Sequence, residues 1–276
     1  MEMYNFKRGS RFCNLAVFFM LSIMLVFACL VTAADAKGLK TKKLNIEDLF
    51  NGKDGTMVLK NLKNDHIYIY NNERSKKMVT PESTFKVPNA LIGLETSAVR
   101  DEYEVKRWDG VRREFENWNR DHSLASAMRE SAIWFYQDMA RDIGEIKMKK
   151  YINLMAYGNG NITGGIDIFW LNSTLKISAL EQVDFMEHLI EEELPFKEKN
   201  QKTVKRMMIQ EEKDDYTLHG KTGTRLSDMG LGWYVGFIES NKETWVFALN
   251  LSGTGTEAKN ITLQVLKQMD IIKEHP

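Results

Sequence analysis

The sequence predicts an α/β (α+β) fold, with one antiparallel sheet drawn from both ends of the chain beside a helical lobe. Short strand-like runs cluster near the two ends of the exported body, and apolar residues recur at helical spacing between them. No repeat, low-complexity tract or linker divides residues 37–276, and the prolines at 81, 88, 195 and 276 are too scattered to mark a boundary. One domain, or two lobes sharing a core, is the simplest organisation.

At the start, Lys7, Arg8 and Arg11 precede an apolar run from Phe12 to Ala34, and Ala34-Asp35-Ala36 places small residues two apart. That pattern predicts a signal peptide over 1–36, cut after Ala36. An uncleaved membrane anchor is the alternative, since 23 residues can span a hydrocarbon core of roughly 30 Å. Lipid attachment at Cys29 is a third option, weakened by bulky Phe27. All three place the body, 37–276, in a secreted or cell-surface location. Cys13 and Cys29 both lie in the leader, so the body has neither a disulfide framework nor a cysteine-based zinc site.

TMVLKNL (56–62) and HIYIYN (66–71) read as a hairpin around Lys63-Asn64-Asp65. Helical spacing follows near 81–96, 123–143, 146–156, 178–193 and 201–209, with Gly144, Gly158 and Pro195 as stop signals. Tyr216 to Gly220 reads as a strand, and GWYVGFIE (232–239) and TWVFALNL (244–251) as a second hairpin. A terminal helix carries an apolar stripe from Ile261 to Ile271. A cleft between sheet and helices is the expected place for a site.

The charge balance of 38 Lys+Arg against 38 Asp+Glu argues against a surface built to neutralise phosphates. The basic runs 147–150 and 197–206 have acidic residues beside or among them and read as solvated helix faces, so no nucleic-acid partner is expected. The histidines show no metal-ligand spacing, and His219, two residues before Lys221, reads as a strand position.

Three short motifs can carry chemistry. In Thr80-Pro81-Glu82-Ser83-Thr84-Phe85-Lys86, Thr80 is an N-cap candidate and Pro81 fits a first helical position, with Glu82 at the positive end of the helix. Ser83 and Lys86 then share a face one turn apart. A serine hydroxyl needs a base, and a lysine can act as one only when desolvation keeps it neutral. Pro88 is expected to kink the helix just beyond. The same Ser-x-x-Lys spacing recurs at Ser173 to Lys176 without a helix start, and is read there as structural. Lys221-Thr222-Gly223, followed by Thr224 and Arg225, can present an ammonium and a hydroxyl to a carboxylate, with a backbone N–H facing a developing oxyanion. In Ser131-Ala132-Ile133, Ile133 can dry a pocket but cannot hydrogen-bond to a lysine. Taken singly, each also fits a capped surface helix or a polar strand end.

Together with Tyr157-Gly158-Asn159, GGIDIFWL (164–171) and KTGTRLSDMGLGW (221–233), these motifs resemble the class D (oxacillinase-type) serine β-lactamases, especially the forms found in Gram-positive bacilli. The resemblance runs along nearly all of residues 45–272. It implies the fold shared by serine β-lactamases and penicillin-binding proteins, and a bacterial enzyme that hydrolyses the β-lactam amide of penicillins. By that resemblance Ser83 is acylated, and Lys86 takes up carbon dioxide or bicarbonate to become a carboxylated general base. Ser131 relays protons, and Trp170 donates to the carbamate that Ile133 and Leu171 shield. Lys221 and Thr222 position the substrate carboxylate, and the N–H groups of Ser83 and Thr224 form the oxyanion hole.

Two departures stand out. The family usually has valine at the place of Ile133, and many members carry an arginine near the C-terminal strand–helix junction. Here only Lys259 stands at that junction, so Arg225 is the nearest substitute in sequence. The resemblance implies no dissociable cofactor or metal, β-lactams as the ligands, and a monomer or weak dimer. A penicillin-binding DD-peptidase or transpeptidase shares Ser83, Lys86 and Lys221, but commonly has asparagine where Ile133 stands. A β-lactam sensor domain is the other alternative; such receptors need several membrane spans and a His-Glu-x-x-His motif, and this sequence has one apolar segment and no such motif.

Overall fold

The computed structural model describes residues 40–273, so the expected leader with Cys13 and Cys29 lies outside the described residues. The strands are β1 (Lys40–Lys43), β2 (Gly55–Asn61), β3 (His66–Tyr70), β4 (Val105–Lys106), β5 (His122–Ser123), β6 (Ile209–Glu212), β7 (Tyr216–Thr224), β8 (Gly232–Ser240) and β9 (Thr244–Leu251). The α-helices are α1 (Asn72–Ser75), α2 (Lys86–Glu95), α3 (Leu124–Glu130), α4 (Ile133–Ile143), α5 (Glu145–Leu154), α6 (Ala179–Ile190), α7 (Glu198–Met207) and α8 (Gly255–Gln268).

Seven strands form one sheet in the order β1-β3-β2-β9-β8-β7-β6, and β4 and β5 pair separately. The hairpin near the start joins the hairpin near the end through β2 and β9, antiparallel, with Val58 opposite Ala248. The sheet is therefore built from both ends of the body, as the strand pattern predicts.

Its two faces explain why the central strands are apolar at nearly every position. On one face Met57, Leu59, Leu218, Tyr234 and Leu249 pack under α8 with Ala258, Ile261, Val265 and Leu266. On the other, Val58, Val235, Phe237, Val246 and Ala248 join the core of the helical lobe with Phe85, Leu91 and Phe135. A strand buried on both faces loses its alternation. Each large apolar side chain removed from water there contributes about 1.5–3 kcal/mol.

Several local expectations are corrected. The run 123–143 is two helices, α3 and α4, because Ser131 adopts a left-handed conformation (φ 57°) between them. Pro88 does not interrupt α2, which runs on to Glu95. It sits in the first turn, where an N–H has no intrahelical partner to lose. Thr80 does not cap the backbone; its hydroxyl donates to Glu82 Oε1 at 2.5 Å. Gly144 does end α4, whereas α5 and α6 stop short of Gly158 and Pro195. The strand predicted over 216–220 continues to Thr224, carrying Lys221 and Thr222 within the sheet.

Candidate active site

Ser83 lies on a 3-10 turn, Glu82–Phe85, that leads directly into α2. The turn is fixed from within, because Thr84 donates its N–H (3.1 Å) and its hydroxyl (2.7 Å) to the carbonyl of Pro81. Lys86 opens α2 one turn later, fully buried, and its Nζ donates to Ser83 Oγ at 2.8 Å. The same Nζ lies 5.5 Å from the ring centre of Tyr136. Burial, reinforced by the positive charge of Lys221, holds the Lys86 pKa well below the usual lysine range, while Glu82 opposes the shift.

Lys86 thus has the dry setting that a neutral amine requires. Beside it in sequence, Phe85 stacks on Trp170, with centroids 5.3 Å apart and planes 25° apart. The Trp170 indole N–H is buried and has no hydrogen-bond partner among the described residues. An orphaned donor costs about 1–3 kcal/mol. A group that can only donate, left unpaired on the ring stacked against Lys86's sequence neighbour Phe85, suits an anion carried on that lysine. The residues present therefore fit an N-carboxylated Lys86. Among the described residues, no group of His, Cys, Asp or Glu is placed to hold a metal ion.

Strand β7 supplies the opposite wall. β6 pairs with β7 at Thr217 to His219. Farther along, β7 approaches the nucleophile turn so closely that a Cβ on Gly223 would stand 3.1 Å from Pro81 O and 3.3 Å from Ser83 N. Glycine permits that approach. Lys221, also buried, donates to Ser131 Oγ at 3.0 Å and to Thr222 O at 2.9 Å. Burial pulls its pKa down to about 7. Ser131 reaches Lys221 because its left-handed conformation ends α3 there; a non-glycine residue holds that conformation at a cost of about 1–2 kcal/mol. Thr224 Oγ1 accepts from Gly255 N at 2.9 Å, tying the end of β7 to the start of α8.

Ser83, Ser131, Ile133, Thr222, Gly223 and Thr224 together line an open cleft of about 170 Å³. Other predicted residues lie outside that lining. Leu171 is half-buried against the main core. Tyr157 packs on Phe85, with centroids 5.8 Å apart. Asn159 clips the loop behind the site, donating through Nδ2 to Thr174 O (2.9 Å) and accepting from Lys176 N (3.0 Å). That places the second Ser-x-x-Lys in a structural loop. His219 stacks on Phe237 at 4.2 Å, and its Nδ1 lies 2.9 Å from Lys205 O.

Arg225, the substitute expected for the carboxylate-binding arginine, is engaged elsewhere in this structure. Its guanidinium forks onto Asp228 with two contacts of 2.8 Å, and it does not line the cleft. Lys259 is turned the other way, donating to Gln210 Oε1 at 3.1 Å. Phe115, Asn117, Trp118, Glu130 and Leu226 line the cleft without having been singled out in sequence. The first three sit on and just before a single 3-10 turn, Glu116–Trp118, too short to write a periodicity into the sequence. Leu226 offers a readable signal, as a large apolar residue, 41% exposed, just after Lys221-Thr222-Gly223.

Residues 46–269 match the penicillin-binding protein transpeptidase domain family. The probable beta-lactamase YbxI of Bacillus subtilis is 58% identical over 241 residues, covering 87% of this chain and 90% of that protein. Beta-lactamase OXA-48 of Klebsiella pneumoniae is 40% identical over 225 residues, covering 79% and 84%. The crystal structure of a class D beta-lactamase from Bacillus subtilis superposes with a TM-score of 0.82 at 59% identity, covering 84% of this chain and 98% of that one.

Proposed function

The chain belongs to the class D serine β-lactamases, within the wider penicillin-binding transpeptidase family, and from that membership we propose how its own residues divide the work. The reaction is hydrolysis of the β-lactam amide through a serine acyl-enzyme. The observation that carries this reading is the 2.8 Å approach of a fully buried lysine to Ser83 Oγ.

Ser83 Oγ attacks the lactam carbonyl. The developing oxyanion lies between the N–H groups of Ser83 and Thr224, a placement supported by the near contact of Gly223 with Ser83 N. Lys221 and Thr222 hold the substrate carboxylate without help from an arginine. Ser131, one hydrogen bond from Lys221, passes a proton to the departing lactam nitrogen. Burial disfavours the charged form of Lys86, and the neutral amine is the state that adds carbon dioxide; bicarbonate in solution is the proposed source. The N-carboxylate so carried supplies an anionic base beside Ser83, first for the hydroxyl proton and then for the water that releases the acyl group. Trp170 holds that anion through its indole N–H, while Ile133 and Leu171 keep bulk water away. The leader over 1–36 is proposed to export the enzyme.

Removing Lys86 tests the assignment. Lys86→Ala is expected to lose about 10²–10⁴-fold in steady-state benzylpenicillin hydrolysis with the folded state retained in a thermal melt. Unchanged hydrolysis by that variant would sink the base role, and hydrolysis surviving in Ser83→Ala would sink the nucleophile.

A further inference from the structure

The residue before the nucleophile carries a carboxyl that the reaction above does not use. Glu82 is 2% exposed and adopts a left-handed backbone, φ 52°. Glycine takes that conformation without strain. A glutamate adds two acceptor oxygens, and burying them is unfavourable unless they are hydrogen-bonded.

One oxygen takes both bonds: Glu82 Oε1 accepts from Thr80 Oγ1 at 2.5 Å and from the backbone N–H of Asn172 at 3.0 Å. The backbone N–H of Glu82 donates to Trp170 O at 3.1 Å. One residue thus grips the segment Trp170–Asn172 at both ends, main chain to main chain at Trp170 and side chain to main chain at Asn172. Asn172 is itself left-handed, φ 46°, so the segment is bent where the carboxyl takes hold of it. The gripped segment carries the indole that lacks a partner, and the gripping residue adjoins Ser83. Strain gathered at such a place is held by its surroundings. Burial raises the Glu82 pKa, opposed by its hydrogen bonds and by the charges of Arg225 and Lys86. Arg225 therefore contributes to this clamp electrostatically, although it is absent from the cleft lining.

We propose that Glu82 is a positioning residue, which locks Trp170–Asn172 against the nucleophile turn so that the Trp170 indole N–H is held ready for the carboxylated form of Lys86. This rests on the carboxylysine reading above. The clamp acts on occupancy of the carboxylated lysine, and leaves capture of the β-lactam to the β7 wall.

The test is a titration of the full-length protein with ¹³C-bicarbonate, reading the carbamate signal by NMR, with benzylpenicillin kinetics run in parallel. Glu82→Ala is expected to raise the bicarbonate concentration for half-occupancy by about tenfold, the effect of losing hydrogen bonds to a buried carboxyl. Its kcat should fall in CO₂-depleted buffer and recover in excess bicarbonate, with KM little changed. Glu82→Gln keeps an acceptor oxygen for both donors and should stay close to the parent. If Glu82→Ala does not fold, Thr80→Val, which removes one donor to the clamp, is expected to shift the half-occupancy in the same direction. An unchanged half-occupancy in the folded variant used, or Glu82→Gln as impaired as that variant, overturns the positioning role. A parent protein with no carbamate signal at any bicarbonate concentration overturns the carboxylysine reading itself, and the clamp's purpose with it.

Discussion

Lys221 shows how much one site residue costs the fold. Burial pulls its pKa from 10.5 to about 7, so at neutral pH the folded state either holds a buried ammonium or gives up its proton, whereas the unfolded chain keeps a fully solvated ammonium. Between pH about 7 and 10.5 the unfolded state binds more protons than the folded one, and the unfolding free energy therefore rises with pH across that window. Below it both states are protonated and the penalty is present in full. Lys221→Met should accordingly be more stable than the parent at pH 7, by an amount on the order of a few kcal/mol. The gap should narrow as pH is raised to 9.5, and denaturant melts at both pH values check this. A gap independent of pH would mean that Lys221 is not held at a lowered pKa. Burial shifts Lys86 in the same direction, so the site carries two lysines whose charged forms the core disfavours.

Single elements explain which parts of the site were legible. Ser83, Lys86 and Lys221 were readable because their spacing on one turn and one strand fixes their geometry locally. Ser131 was readable as a motif but not as a break. The run from Leu124 to Ile143 keeps helical apolar spacing straight through it, and nothing in a serine announces a left-handed backbone. In sequence Glu82 reads as a residue favouring a helix end, because its partners Trp170 and Asn172 lie some ninety positions away. Gly158 belongs to this scale as well. A Cβ there would stand 2.1 Å from Lys176 O, on a backbone at φ 53°. Gly158→Ala should cost about 2–4 kcal/mol by denaturant melt. Gly144→Ala, at φ 77° and ψ 157° with open space around it, should cost only the backbone strain, about 1–3 kcal/mol. Equal costs would mean that the clip between this loop and Lys176 carries no weight.

For the whole molecule, the sheet joins the two ends of the described body through β2 and β9, and the helical lobe is inserted between them. That architecture was legible because two-sided burial writes continuous apolar runs into the strands. The cleft rim was not, since Phe115, Asn117 and Trp118 lie on or just before one short 3-10 turn that no periodicity records. What the arrangement achieves is turnover. In the proposed division of work, β7 holds the substrate against the nucleophile turn, and Lys86 on α2 supplies the buried base that frees Ser83 again. An intact-mass time course of residues 37–276 with benzylpenicillin in bicarbonate buffer, with substrate loss followed alongside, tests this directly. The account predicts a one-substrate adduct that appears and then decays while many equivalents are consumed. An adduct that persists after a single equivalent would contradict it, and Lys86 would no longer be the base that releases the acyl group.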